Sequence, residues 1–214
     1  MKLHSDDILD DEDKLRAFVG NPADLAAAKL INHLDKYCVA FIDRSPFVML
    51  GTANKDGKSD VSPRGDHAGF VQVLDPHTIF IPERPGNKRV DTLSNIINNP
   101  NVGLLFLIPG FDDCLRVNGK AKVIKEQTLL EKSIVNKKTP KMGILITIEE
   151  AMLHCAKAIR RSKLWDDKSK HDRNELPSIG QIILEQTSEG RSVEPELIKE
   201  VDTWVEEDYQ NKLY

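Results

Sequence analysis

Residues 47–61 of the 214-residue chain carry the sequence FVMLGTANKDGKSDV, which decides the fold. An apolar run leads into a polar turn, in which Asp56-Gly57 supplies the positive φ that a tight hairpin requires. Residues 70–81, FVQVLDPHTIFI, repeat the arrangement with two apolar runs around Asp75-Pro76-His77. Each stretch therefore predicts two antiparallel strands joined by a short turn.

The segments around these hairpins extend the same pattern. Further short apolar runs at residues 38–42, 101–107, 114–123 and 144–152 predict additional strands. A helix is predicted over about residues 88–97, because Asn-Asn-Pro follows it and stops it. Many short strands separated by turns, with one crossover helix, indicate a small antiparallel barrel and argue against a parallel doubly wound sheet.

Both ends of the chain are predicted to be helical. Residues 1–36 contain Asn21-Pro22, a helix start in which asparagine caps and proline fits the first turn. Residues 155–214 contain apolar stripes at helical spacing. We expect one domain, with a barrel core at about 37–154 between the two helical segments.

Composition narrows the class of protein. Thirty basic and 34 acidic residues give a net charge of -4, which argues against a nucleic-acid binder. The apolar run at residues 102–108 is too short to cross a bilayer, and Met1–Asp7 lacks the apolar stretch of a signal peptide. Three cysteines without CxxC spacing indicate neither a disulfide framework nor a metal site. The sequence predicts a cytoplasmic protein without a membrane partner.

The first candidate site is Ser62-Pro63-Arg64-Gly65-Asp66. Proline ends strand pairing, glycine admits a ligand to the backbone, and arginine offers donors suited to phosphate. A polar turn held by an Arg-Asp pair is the alternative interpretation.

The second candidate runs from Ile81 to Arg89 and places Lys88 and Arg89 in the first turn of the predicted helix. Cations are disfavoured at a helix N-terminus unless an anion is bound there. Together with Asn87 they predict a phosphate cradle. Misplaced surface cations are the alternative.

The third candidate is residues 154–165, in which paired arginines precede Trp165 and could contact a planar anionic ligand. A solvated charged face is the alternative. His154-Cys155 is weak evidence for a thiolate nucleophile, and we expect Cys155 to be a buried structural residue. No hydrolase motif is found, so the sequence assigns no catalytic residue.

Taken in order, three stretches resemble the pyridoxamine 5'-phosphate oxidase-related FMN-binding split β-barrel family, over about residues 40–123. They are GNKR at 86–89, NNPNVGLLF at 98–106 and VNGKA at 117–121. SPRGD at 62–66, LRVNG at 115–119 and RSKLW at 161–165 are together similar to an uncharacterised branch of that family. The resemblance implies an α+β antiparallel split β-barrel with flanking N- and C-terminal helices. It also implies FMN as cofactor, a homodimer with FMN at the subunit interface, and a small-molecule substrate.

The resemblance further implies which residues contact the cofactor. The matching strand would place Ser62, Pro63, Arg64 and Gly65 on the flavin ring or ribityl chain. Ile81, Pro82 and Glu83 would pass the flavin, and Asn87, Lys88 and Arg89 would hold its phosphate. Arg161, Ser162 and Trp165 match a C-terminal segment that reaches a flavin, of either subunit, and Arg116 is a lesser candidate on a nearby strand.

The sequence departs from the oxidases at several positions. They carry a basic residue where this chain has Ser62, and a Tyr-Thr pair where it has Pro82-Glu83. Their substrate-binding Arg and His residues are not evident in the acidic segment 194–208. FMN is favoured over FAD because no GxGxxG follows a strand. Two classes of function stay open: an FMN-dependent oxidoreductase with an unknown substrate, or a flavin-, haem- or deazaflavin-binding module without turnover.

Overall fold

The computed structural model describes residues 4–214 and contains one antiparallel seven-stranded sheet. Its spatial order is β2-β1-β5-β6-β7-β4-β3, so β2 and β3 are its edges. The sheet is an open, split barrel rather than a closed one, as the family resemblance predicted. The strands are β1 (Phe47–Ala53), β2 (Ser59–Gly65), β3 (Gln72–Asp75), β4 (Thr78–Pro82), β5 (Asn101–Leu107), β6 (Cys114–Ile124) and β7 (Gly143–His154).

Helices flank the sheet, which confirms the predicted α+β class. They are α1 (Glu12–Val19), α2 (Asp24–Ala28), α3 (Lys36–Ile42), α4 (Asp91–Asn98), α5 (Gln127–Glu131), α6 (Lys157–Ser162), α7 (Ile179–Thr187) and α8 (Pro195–Lys212). Short 3-10 turns lie at Ser5–Asp7, Asp167–Ser169 and Arg173–Glu175. In the described part of the chain, none of these helices combines the length and the apolar character needed to cross a membrane.

Both predicted hairpins are present. Gly57 has φ 80° in the turn between β1 and β2, which pair from Phe47↔Gly65 to Ala53↔Ser59. The turn at Pro76 and His77 joins β3 to β4. Pro63 lies in the edge strand β2, where a residue without a backbone N–H is tolerated.

The hydrophobic core lies on one face of the sheet. Alternate residues of the strands, such as Leu50, Phe106 and Leu115, are fully buried there. Helices α3 and α4 contribute Ile42 and Leu93 to the same core. The opposite side chains of β1, β5, β6 and β7 are therefore left on an outer face.

Three predicted elements differ from the structure. Residues 38–42 form the helix α3 and not a strand, because the Asp35 carboxylate caps it by accepting the N–H groups of Tyr37 and Cys38 at 3.0 and 2.8 Å. Helix α4 begins at Asp91, three residues later than predicted, because Lys88 and Val90 have left-handed φ values of 64° and 54°. The helix expected from Asn21-Pro22 starts at Asp24.

Candidate functional site

A cleft of about 1010 Å³ lies beside the edge strand β2. Its walls are formed by β2, the segment after β4, the start of α4 and the loop before β7. Six cationic side chains line it: Arg64, Arg84, Lys88, Arg89, Lys138 and Lys141. Only three acidic residues line it, Asp60, Glu83 and Asp91, so the cleft favours an anionic ligand.

The two arginines nearest the sheet are already paired. Arg64, on β2, donates through Nη1 to the Glu83 carboxylate. Arg84 donates through Nε to Asp66 Oδ2 at 2.6 Å, and the Asp66 side chain is completely buried. Each pair joins the end of β2 to the segment after β4. The pairs therefore fix the shape of this wall of the cleft.

The Asp66 carboxylate is the centre of a larger network. It also accepts from the backbone N–H of His67 at 2.8 Å and from the Tyr214 hydroxyl at 2.8 Å. Burial alone would raise the pKa of Asp66, but these hydrogen bonds and the bond from Arg84 together lower it. Asp66 is therefore a stable buried anion at neutral pH.

The loop before α4 carries cations of a different kind. Lys88 and Arg89 are exposed, and Arg89 Nε donates to the Asp91 carboxylate at 2.7 Å. Asn87 Oδ1 accepts the Arg89 backbone N–H at 3.0 Å, which fixes the turn. Left-handed backbone at Lys88 and Val90 is costly for residues with a Cβ, and such strain concentrates at ligand-binding sites.

Helix α4 is attached to β2 by hydroxyl groups. The buried Thr92 donates through Oγ1 to Ser62 Oγ at 3.0 Å, and Ser62 Oγ also accepts from Arg64 Nε at 3.3 Å. One residue of the first predicted motif thus connects the helix to the strand. The exposed cations of the loop and the paired arginine of β2 consequently face one cleft.

The predicted cofactor residues divide into two groups. Ser62, Pro63, Arg64, Glu83, Asn87, Lys88 and Arg89 line the cleft together. Gly65, Ile81, Pro82, Arg116, Arg161, Ser162 and Trp165 do not line it. The side chains of Ile81 and Pro82 are buried, so any contact they made with a ligand in the cleft would be through the main chain.

Arg116 lies on the outer face of the sheet, where Nη2 donates to Glu150 at 3.4 Å. The segment of Arg161, Ser162 and Trp165 lies against the loop between β5 and β6, since Trp165 Nε1 donates to the Phe111 carbonyl at 2.7 Å. The Ser162 hydroxyl donates to the Ile159 carbonyl within α6 at 3.0 Å. Within one chain, therefore, these four residues lie apart from the cleft.

The expectation for Cys155 was wrong. Cys155 is exposed, because it follows the end of β7, and a backbone hydrogen bond from Lys157 lowers the pKa of its thiol. Cys38 and Cys114 are the buried cysteines, and burial raises the pKa of Cys38 to about 11.

Arg84, Lys138, Lys141 and Tyr214 are among the cleft residues for which the sequence predicted no role. Arg84 belongs to the second motif, but the sequence assigned it no role, because its partner Asp66 is 18 positions away in the chain. Lys138, Lys141 and Tyr214 reach the cleft from distant parts of the chain. The basic stretch NKKTPK at 136–141 was a local signal for the two lysines, whereas no local pattern indicates Tyr214.

The fold and the cleft together define the class of protein: an open antiparallel split barrel with a basic cleft beside its edge strand. The family model for pyridoxamine 5'-phosphate oxidase matches residues 34–155, more than half of the chain. The chain belongs to the pyridoxamine 5'-phosphate oxidase family. Among curated proteins, no sequence matches it.

Several solved structures are similar. HupZ of Group A Streptococcus is 17% identical, with a TM-score of 0.47 over 55% of this chain and 91% of that chain. General Stress Protein 26 of Bacillus anthracis is 19% identical, with a TM-score of 0.39 over 53% and 88%. The FAD binding protein of Mycobacterium smegmatis is 16% identical, with a TM-score of 0.39 over 57% and 95%.

Proposed function

We propose that the cleft binds FMN and that Asn87, Lys88 and Arg89 hold its phosphate. The observation that carries the proposal is the excess of cations in the cleft, four of which are exposed. Two of these, Lys88 and Arg89, lie next to each other on a strained loop at its rim. A phosphate is stabilised where charged donors and backbone N–H groups converge. A short basic loop suits one phosphate, and no GxGxxG dinucleotide signature follows a strand, which together favour FMN over FAD.

The rest of the cleft fits the remainder of the cofactor. Its lining includes the apolar side chains of Pro63, Leu93 and Met142, against which a planar ring can pack. Ser62, Arg64 and Glu83 supply hydrogen-bonding groups beside them. When bound, a flavin supplies hydride and electron transfer, and the protein supplies position and electrostatics. We therefore propose an FMN-dependent oxidoreductase acting on a small molecule.

The cofactor proposal is tested on the purified protein. We expect a yellow protein with flavin absorption bands, and FMN as the compound released on denaturation and identified by chromatography. Release of FAD would contradict the choice of flavin. A haem or deazaflavin spectrum would instead support the alternative binding module.

Turnover is tested separately from binding. Consumption of NADH or NADPH by the holo-protein under air would support an oxidoreductase. A flavin that stays bound but is reduced by neither donor would favour a carrier or sensor that uses the same cleft.

We further propose a homodimer formed through the outer face of the sheet. Met49, Leu105, Arg116 and Met152 lie side by side across β1, β5, β6 and β7 on that face and are only partly buried. Covering such a face removes apolar area from water. Sedimentation of the holo-protein should give twice the 24.1 kDa chain mass. Leu105→Glu should yield monomer, whereas Leu74→Glu on β3 should not.

A shared cofactor site is the final part of the proposal. Arg161 and Trp165 lie outside the cleft of their own chain, which agrees with an action on the partner's flavin. Arg89→Ala and Arg161→Ala chains, each a weak FMN binder alone, should recover FMN binding when mixed and reassembled. Every mixed dimer would then contain one intact site. If mixing restores nothing, the two arginines act within one chain.

A further inference from the structure

Tyr214 lies in the cleft although its nearest helix packs elsewhere. Helix α8 packs on α7, where the Gly180 N–H donates to Asp202 Oδ1 at 3.1 Å. Beyond α8, the side-chain hydroxyl of Tyr214 donates to Asp66 at 2.8 Å. The main-chain oxygen of Tyr214 accepts from Lys138 Nζ at 2.5 Å. These contacts join residues 148 and 76 positions apart. Tyr214 therefore closes one part of the cleft.

The group beneath Tyr214 is the guanidinium of Arg84, whose carbon lies 5.3 Å from the ring centroid. Arg84 is held by two hydrogen bonds of its own, to Asp66 through Nε and to the Ser133 carbonyl through Nη1 at 2.9 Å. These two bonds do not involve Tyr214. Arg84 would therefore keep its position if Tyr214 moved away.

One N–H donor of Arg84 is unused while the Tyr214 ring covers the guanidinium. Arg84 Nη2 is buried and has no hydrogen-bond partner among residues 4–214. A buried donor without an acceptor is unfavourable, and such a group beside a cleft is typical of a site that meets a ligand. An acceptor oxygen in the cleft would satisfy Nη2 once the ring of Tyr214 no longer covered the guanidinium.

We propose that Arg84 is a second ligand subsite, for an acceptor oxygen of the flavin other than its phosphate, and that Tyr214 is a displaceable latch over it. The inference rests on the proposed function, because it takes a flavin as the occupant. Only the unlatched fraction of the protein binds, so the apparent dissociation constant equals the intrinsic one divided by that fraction.

The experiment compares FMN with riboflavin, which lacks the phosphate, in titrations of Tyr214→Ala, Tyr214→Phe and the unsubstituted protein. Tyr214→Ala should bind both flavins about five- to tenfold more tightly, and Tyr214→Phe about threefold, because it loses only the bond to Asp66. Tyr209→Ala is the matched control, since Tyr209 is an exposed residue of α8 outside the cleft, and it should change neither affinity.

Hydrogen exchange provides a second readout. Saturating riboflavin should speed amide exchange in residues 205–214 of the unsubstituted protein, because displacement frees this segment. In the ligand-free protein, Tyr214→Phe should speed the same amides and Tyr209→Phe should not.

The outcomes separate the two proposals. If Tyr214→Ala binds riboflavin no more tightly than the unsubstituted protein does, the latch is overturned. An affinity change confined to FMN would also overturn it, because it would place Tyr214 beside the phosphate. If the unsubstituted protein binds neither flavin, the proposed function fails. The proposal that a flavin displaces Tyr214 then fails as well. Hydrogen exchange of the ligand-free variants would in that case report only on the contact of Tyr214 with Asp66.

Discussion

Two pairs of cations in the cleft, Arg64 with Arg84 and Lys88 with Arg89, lie in opposite environments. Arg64 and Arg84 have side chains that are only 15% exposed, and each is paired with a carboxylate. Arg89 is 72% exposed and pairs with Asp91 at the surface. Lys88 is exposed beside it.

The difference separates arginines whose charge is already compensated by a carboxylate of the cleft wall from exposed cations whose charge is available to an anion. The buried pair still offers a neutral acceptor the N–H of Arg84 Nη2, which is unused within the described part of the chain. A buried ion pair cannot lose one member without leaving an uncompensated charge, so its effect is on folding. An exposed pair is screened by water and contributes little to stability, so its side chain can turn toward an anion. Residue type alone does not make this distinction, because both sets contain arginine.

The largest expected effect is on the stability of the buried pair. Asp66→Asn should lower the free energy of unfolding by about 3 kcal/mol, since Arg84 loses its counter-charge in a buried position. Urea denaturation measures the change. Asp91→Asn removes the partner of the exposed Arg89 and serves as the control, with no measurable loss expected. Equal losses of unfolding free energy in the two variants would contradict the distinction between the buried pair and the exposed pair.

The same pair predicts how stability depends on pH. The pKa of Asp66 is lowered below its usual value of 3.8, so its stabilisation is present above that value and is lost as the pH falls through the folded pKa. The difference in unfolding free energy between the unsubstituted protein and Asp66→Asn should be constant from neutral pH to about 5. It should shrink below pH 3.8. A difference that grows in acid would contradict the assignment of Asp66 as the buried anion.

A smaller effect is expected in the exposed loop. Val90 is a β-branched residue with φ 54°, a conformation that glycine adopts without strain. Val90→Gly should raise the free energy of unfolding by about 1 kcal/mol. Val61→Gly, at an exposed position of β2, should lower it instead, because glycine weakens a strand. Destabilisation by Val90→Gly would mean that the loop is not strained.

Local sequence signals predicted much of the sheet. Asp56-Gly57 located the first hairpin, and Asn99-Pro100 located the end of α4. The start of α4 was misplaced because left-handed backbone at Val90 has no signature in a β-branched residue. Residues 38–42 were assigned to a strand because a five-residue apolar run does not distinguish the two structures.

The cleft was predicted only where its residues are close together in the chain. Ser62 to Arg64 and Asn87 to Arg89 belong to two short motifs, and the structure brings both to one cleft. Asp66 pairs with Arg84 because the ends of β2 and β4 lie close together in the fold. Tyr214 contacts Asp66 because the chain comes back to the cleft after α8. Neither is encoded in local spacing.

The central claim is that the exposed cations of the loop before α4 hold the phosphate of FMN. Its most direct test is the titration of FMN and riboflavin into the unsubstituted protein and the Lys88→Ala/Arg89→Ala double variant, with Lys55→Ala at the β1–β2 turn as the control. We predict that the double variant binds FMN about ten- to a hundredfold more weakly, with riboflavin affinity unchanged. An unchanged FMN affinity, or an equal loss for both flavins, would contradict the account.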